Sequence, residues 1–150
     1  MKQLTILALG LALTTLALAG EPIEKTIPVP KRDQDVKIGV SGEGAKVVSV
    51  TIQNFPDSAQ VEKAKSSDPN DKSFVFWNFE VANTSDHPVK IKVDLTLIGK
   101  DGEAVGRTDK SDTVEAGKTD DNIRLMMHPK ILDLVNGKEV KLKISFETKK

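Results

Sequence analysis

"VKIKVDLTLIG", Val89 to Gly99, is the stretch that decides the fold. Val89, Ile91, Val93, Leu95 and Leu97 alternate with Lys90, Lys92, Asp94 and Thr96. A period of two places the two sets on opposite sides of a strand, so one side is dry and the other wet. Burying the five apolar side chains contributes roughly 8 to 15 kcal/mol before conformational entropy is subtracted. "EVKLKISFE" repeats the pattern, with Val140, Leu142, Ile144 and Phe146 against Lys141, Lys143 and Ser145. "VVSVTIQN" places Val48, Val50 and Ile52 opposite Ser49, Thr51 and Gln53. Half-buried strands of this kind build antiparallel sheets.

Working outward, turn chemistry separates the runs. Asp101-Gly102 within "GKDGE" is a hairpin signal, and "SGEG", "NTSDHP" and "EAGKTDD" mark further breaks. About seven strands are expected, near 36–40, 46–54, 74–83, 88–98, 103–109, 121–127 and 139–147. Short strands at this spacing predict an all-β, immunoglobulin-like antiparallel β-sandwich over residues 36–150. Residues 20–35, with Pro22, Pro28 and Pro30, read as an extended lead-in. Residues 56–73 read as a polar loop with one helical turn after Asp57. "HPKILDLVNGK" has Pro129 where a helix opens and Gly137 where one stops, which favours a short helix near 129–136 over an Asn136-Gly137 hairpin.

The stretch before Val89 holds four of the six aromatic residues, in "FVFWNFE" from Phe74 to Glu80. Alternation assigns Val75, Trp77, Phe79 and Val81 to the core and turns Phe74, Phe76, Asn78 and Glu80 outward. Two outward phenylalanines are either covered by residues 56–73 or exposed as a contact patch. Lys90, Lys92, Lys141 and Lys143 also face outward. If their strands share a sheet they form a basic stripe, extended by Arg124, fit for an acidic protein or an anionic envelope polymer. The plainer role for such lysines is to keep a sheet surface soluble.

"FWNFEVANTSDHPVKIKVDLTLIGKDGEAVG" resembles bacterial extracytoplasmic immunoglobulin-like domains of the FxLYD type and their fibronectin-III-like relatives. The likeness covers Phe74 to about Lys118: an aromatic strand, an apolar residue two before Asn-Thr-Ser, a long alternating strand and an Asp-Gly hairpin. Phe74-Val75-Phe76-Trp77-Asn78 departs from F-x-L-Y-D at its last three positions. The resemblance implies a non-catalytic module of an envelope protein and no particular partner.

Met1-Lys2, the uncharged "LTILALGLALTTLALA" and the small-x-small Ala17-Leu18-Ala19 read as a signal peptide over residues 1–19, cleaved near Ala19. The run is shorter than the roughly 20 apolar residues of a membrane span. A periplasmic or secreted mature domain with no stable membrane insertion is expected. With no cysteine anywhere, lipid modification of an N-terminal Cys, disulfides, thiol catalysis and cysteine metal sites are excluded. Removing residues 1–19 takes away Lys2 and no acid, leaving 21 basic and 22 acidic side chains. A net charge of minus one argues against nucleic acid as a partner.

Few residues point to chemistry. There is no Gly-x-Ser-x-Gly elbow, phosphate loop or H-E-x-x-H pair, and both histidines, His87 and His128, adjoin a proline. An enzyme is not expected, nor a cofactor. Met126, Met127 and His128 offer soft ligands for copper, although a strand sends the two methionines to opposite faces. Calcium has candidates in Asp68, Asn70 and Asp71, and in Asp109, Asp112, Asp120 and Asp121, without EF-hand spacing. Asn83-Thr84-Ser85 matches a glycosylation sequon, where an Asn also suits the turn. The expected function is thus a monomeric or weakly associating binding module whose partner is an envelope protein. The alternative is a small metal-handling protein for copper or calcium.

Overall fold

A computed structural model describes residues 21–150, so the signal-peptide reading of residues 1–19 lies outside it. Eight strands form: β1 (Ile23–Ile27), β2 (Val36–Gly42), β3 (Ala45–Gln53), β4 (Val75–Asn83), β5 (Val89–Ile98), β6 (Ala104–Val114), β7 (Asp121–Met127) and β8 (Glu139–Thr148). Two helices join them, α1 (Ser58–Ser66) and α2 (Ile131–Val135). The strands make two antiparallel sheets, a first in the order β1-β8-β5-β6 and a second in the order β2-β3-β4-β7. The all-β sandwich expected from the alternation is the architecture found.

β5 organises the first sheet because both its edges are paired along its whole length. Val93 lies opposite Ile144 of β8 and Leu95 opposite Leu142. Directly opposed residues share a face, so the apolar sets of the two strands merge into one surface. In the second sheet Trp77 sits between Ile52 and Leu125, and Phe79 between Val50 and Ile123. Trp77, Phe79 and Phe146 are the largest fully buried side chains. The Trp77 indole N–H is buried without an acceptor.

The lead-in contributes a strand. β1 pairs with β8 from Ile23 opposite Ile144 to Ile27 opposite Val140, and Ile27 is buried in the core. Its pattern is obscured by Lys25, which lies opposite core Leu142, and by the flanking Pro22 and Pro28. β6 also runs beyond 109, to Val114. Lys110 and Asp112 stand opposite Val93 and Ile91, on the inner side of this edge strand, yet both are exposed. Inward charges on an edge spoil the apolar alternation and discourage pairing with another chain. In β3 a bulge sets Val47 opposite Val81 and Ser49 opposite Glu80, so Val48 is the extra residue. Val47, rather than the half-buried Val48, therefore belongs to the core.

α1 is longer than one turn because Asp57 and Gln60 form a reciprocal capping box, with bonds of 2.8 and 2.9 Å. The helix buries Ala64 and packs on α2. α2 starts at Ile131 and stops before Asn136-Gly137, which makes no hairpin. Gly137 sits in a tight space: a Cβ there would stand 3.0 Å from Val29 and 3.2 Å from both Leu97 and the Asp133 carbonyl.

Asn83 ties β4 to the end of β6. Its amide donates to the carbonyls of His87, Val114 and Glu115 at 2.8, 2.9 and 3.2 Å. Its side-chain oxygen accepts from the Ser85 amide and hydroxyl at 3.0 and 2.6 Å. Fully buried and fully engaged, this side chain is no glycosylation acceptor in the folded protein.

Candidate interaction surface

Register assembles the outer face of the second sheet in rows. Phe76 lies between Gln53 of β3 and Met126 of β7, Asn78 between Thr51 and Arg124, and Glu80 between Ser49 and Asn122. Phe74, just before β4, continues this face one step beyond Phe76 and stacks on His128, with centroids 3.8 Å apart and planes within 3°. Phe74 and Met126 remain 51% and 56% exposed, the two most exposed large apolar side chains among the described residues. Arg124 holds its guanidinium carbon 4.0 Å above the centre of the Phe76 ring.

The opposite end of the same face is acidic. A hollow of about 180 Å³ is lined by four acidic residues, Asp35, Glu80, Asp120 and Asp121, the last standing opposite core Val81 with its carboxylate accepting from the Asn122 amide. Ser49, Thr51, Asn78 and Asn122 complete the lining, which contains no basic side chain. Ser49 donates to Glu80 at 3.2 Å and Asn78 to Asn122 at 3.1 Å. Among the described residues none of the four acids is in an ion pair. One face therefore carries an apolar end and an anionic end.

Residues 56–73 do not cover the phenylalanines. They turn toward α2 instead, where the Ser73 amide donates to Pro129 O at 3.0 Å and the Ile131 amide to Asp71 O at 2.9 Å. Arg124 and His128 are the partners of Phe76 and Phe74. Arg124 also leaves the lysine stripe, since β7 belongs to the second sheet and Lys90, Lys92, Lys141 and Lys143 to the first.

The stripe is itself broken by acids. Lys90 lies opposite Glu147, and Lys143 lies between Asp94 and Glu24. Asp94 takes both guanidinium contacts of Arg107, at 2.9 and 3.3 Å, and this carboxylate raises the Arg107 pKa above its ordinary value. Lys143 reaches Glu24 at 3.9 Å. On this face Lys90, Lys92, Lys141, Lys143 and Arg107 stand against Glu24, Asp94, Asp109 and Glu147. The surface is mixed in sign, not a basic field.

The three soft ligands separate as well. Met127 is buried, with its sulfur where a Cβ on Gly106 would fall, while Met126 and His128 face outward. Among the described residues no group of three or more His, Cys, Asp or Glu is placed to hold a metal, so Asp109, Asp112, Asp120 and Asp121 do not converge on one site. His87 comes nearest to a catalytic chain, with Nδ1 2.9 Å from Asp86 and Nε2 3.4 Å from Thr148 Oγ1. The Asp86 side chain is 99% exposed, so water competes for its carboxylate, unlike the buried acid that orients a working histidine.

Sequence reasoning found the phenylalanines but missed the hollow. Asp120 and Asp121 stood out only as calcium candidates. Their meeting with Asp35 and Glu80 depends on the order of β2, β3, β4 and β7, which no local pattern contains. No protein-family model matches the chain, and a search of curated proteins finds no significant match.

Proposed function

We propose that this chain is an exported, non-catalytic binding module of a bacterial cell envelope that contacts a protein through the outer face of its second sheet. The observation that carries this reading is the pairing of exposed Phe74 and Met126 with the half-buried Phe76 on the outer face of the second sheet. Exposed aromatic and methionine side chains with an arginine beside them are the composition of protein contact surfaces. The resemblance of residues 74–118 to extracytoplasmic immunoglobulin-like domains and the leader-like residues 1–19 support export and an envelope role. No helix among the described residues is long and apolar enough to cross a membrane. The lysine face is the weaker candidate because its charges alternate with acids.

The test is photocrosslinking in producing cells from residue 76 and, separately, from residue 92, with mass spectrometry of adducts and of the mature N-terminus. One dominant protein adduct from 76, lost when Phe74 is also replaced by Ser, is the expected result. An adduct from 92 alone moves the contact to the lysine face, and no adduct from either position refutes the binding reading. A retained leader refutes export.

A further inference from the structure

The apolar and acidic ends of this face lie close enough for one ligand to span both, and the spacing is set by the strand. Side chains on one side of an extended chain recur every two residues, at roughly 6.8 Å. Along β4, Phe76 is one such step from Asn78 and two from Glu80, so the aromatic end and the hollow are about 7 to 14 Å apart. Resting on the contact proposed above, we infer that the face takes one extended protein segment bearing a lysine or arginine two or four residues from an apolar side chain. The basic group enters the hollow, and the apolar side chain lies on Phe74, Phe76 and Met126.

Charge complementarity selects this occupant. Four acidic residues line one hollow with no basic lining residue and no ion pair, and Glu80 stands on its outward side by register. Lys37, opposite Ser49, and Arg124, opposite Asn78, are the flanking cations by register, and neither pairs with any of them. Like charges held together in this way favour a cationic group over a neutral one. Because no three of these acids are placed to hold a metal ion, their charge suits a broad organic cation, such as a guanidinium donating to several oxygens. The hydroxyls and amides of Ser49, Thr51, Asn78 and Asn122 supply further polar partners. Arg124 gives the segment its direction: standing over Phe76, it repels a basic group from the aromatic end and favours its entry into the hollow.

The experiment selects random linear peptides on the exported full-length protein, then measures the recovered peptides by fluorescence anisotropy. Wild type is compared with Asp120→Asn/Asp121→Asn, with Phe76→Asp, and with peptides whose basic residue is replaced by Gln. The last comparison uses wild-type protein and is immune to any folding defect. Recovered peptides are expected to share a Lys or Arg two or four positions from an apolar residue. Charge neutralisation on either side should weaken binding by about tenfold or more, and added salt should weaken wild-type binding in parallel. Recovery of no peptide, of peptides without a basic residue, or of peptides indifferent to its replacement overturns the inference. Loss of binding in Phe76→Asp without loss on neutralisation also overturns it and leaves the apolar contact standing. Loss on neutralisation without loss in Phe76→Asp removes the two-point segment and the apolar contact together.

Discussion

The outer faces of the two sheets obey the same alternation, and they handle charge in opposite ways. On the first sheet several charges are answered by a neighbour, Lys143 by Glu24 and Asp94, Lys90 by Glu147 and Asp94 by Arg107, while Lys92 stands between serines and Lys141 between threonines. On the second sheet the acids collect at one end and the aromatic rings at the other. A face whose charges are interleaved is already satisfied in water. A face whose chemistry is segregated leaves a partner something to complete. The difference teaches that outward parity alone does not make a contact surface; the neighbours across the strands do.

Both faces rest on one shared interior, and opening that interior has the largest effect. Trp77→Ala should cost about 3 to 5 kcal/mol by denaturant unfolding, as expected for a fully buried large aromatic. Trp77→Phe should cost far less, because it also removes a buried N–H that has no acceptor. If the two cost the same, the indole makes a contact that the static structure does not reveal. Next, Asn83→Ala should cost about 2 to 3 kcal/mol, since carbonyls of the β4–β5 and β6–β7 connections lose their donor. Asn83→Asp should be no milder, for it sets a carboxylate against those carbonyls. A silent Asn83 variant would mean that the two sheets are held in register without it.

The faces themselves are separated by smaller changes. Phe76→Asp should abolish partner binding while costing at most about 1 kcal/mol, and Lys92→Glu should leave both binding and stability almost unchanged. The reverse pattern in a pull-down would exchange the roles assigned to the two faces. Arg107→Ala should move the melting midpoint little and only at low salt, because its pair with Asp94 is screened by water.

The smallest effect is at Asp86, on neither face. A hydrogen bond from His87, aided by the Asp86 amide and the His87 charge, holds the carboxyl below its ordinary value of 3.8. A depressed folded-state pKa adds stability above that ordinary value, and the gain is lost as pH falls through the folded pKa. Asp86→Asn should therefore differ slightly from wild type near neutrality and match it in acid. A difference that grew in acid would contradict the sign.

What could be read from the residues alone was what is local. Period-two runs gave seven of the eight strands, and within each regular strand they separated the faces: Met126 and Met127 on opposite sides, Trp77 and Phe79 inward and Phe76 outward. Turn and cap residues gave the hairpin at Asp101-Gly102 and the short helix at Ile131–Val135. Alternation failed where one residue breaks the period, at the Val48 bulge, at Lys25 in β1, and at Lys110 and Asp112 on the edge of β6. Strand order belongs to the tertiary structure, because it is set by pairing between residues far apart in the chain. That order sent Arg124 away from the lysines and over Phe76, placed Glu147 beside Lys90, and brought Asp35, Glu80, Asp120 and Asp121 around one hollow. A strand's own residues decide which way each side chain points; only its neighbours decide what that side chain meets.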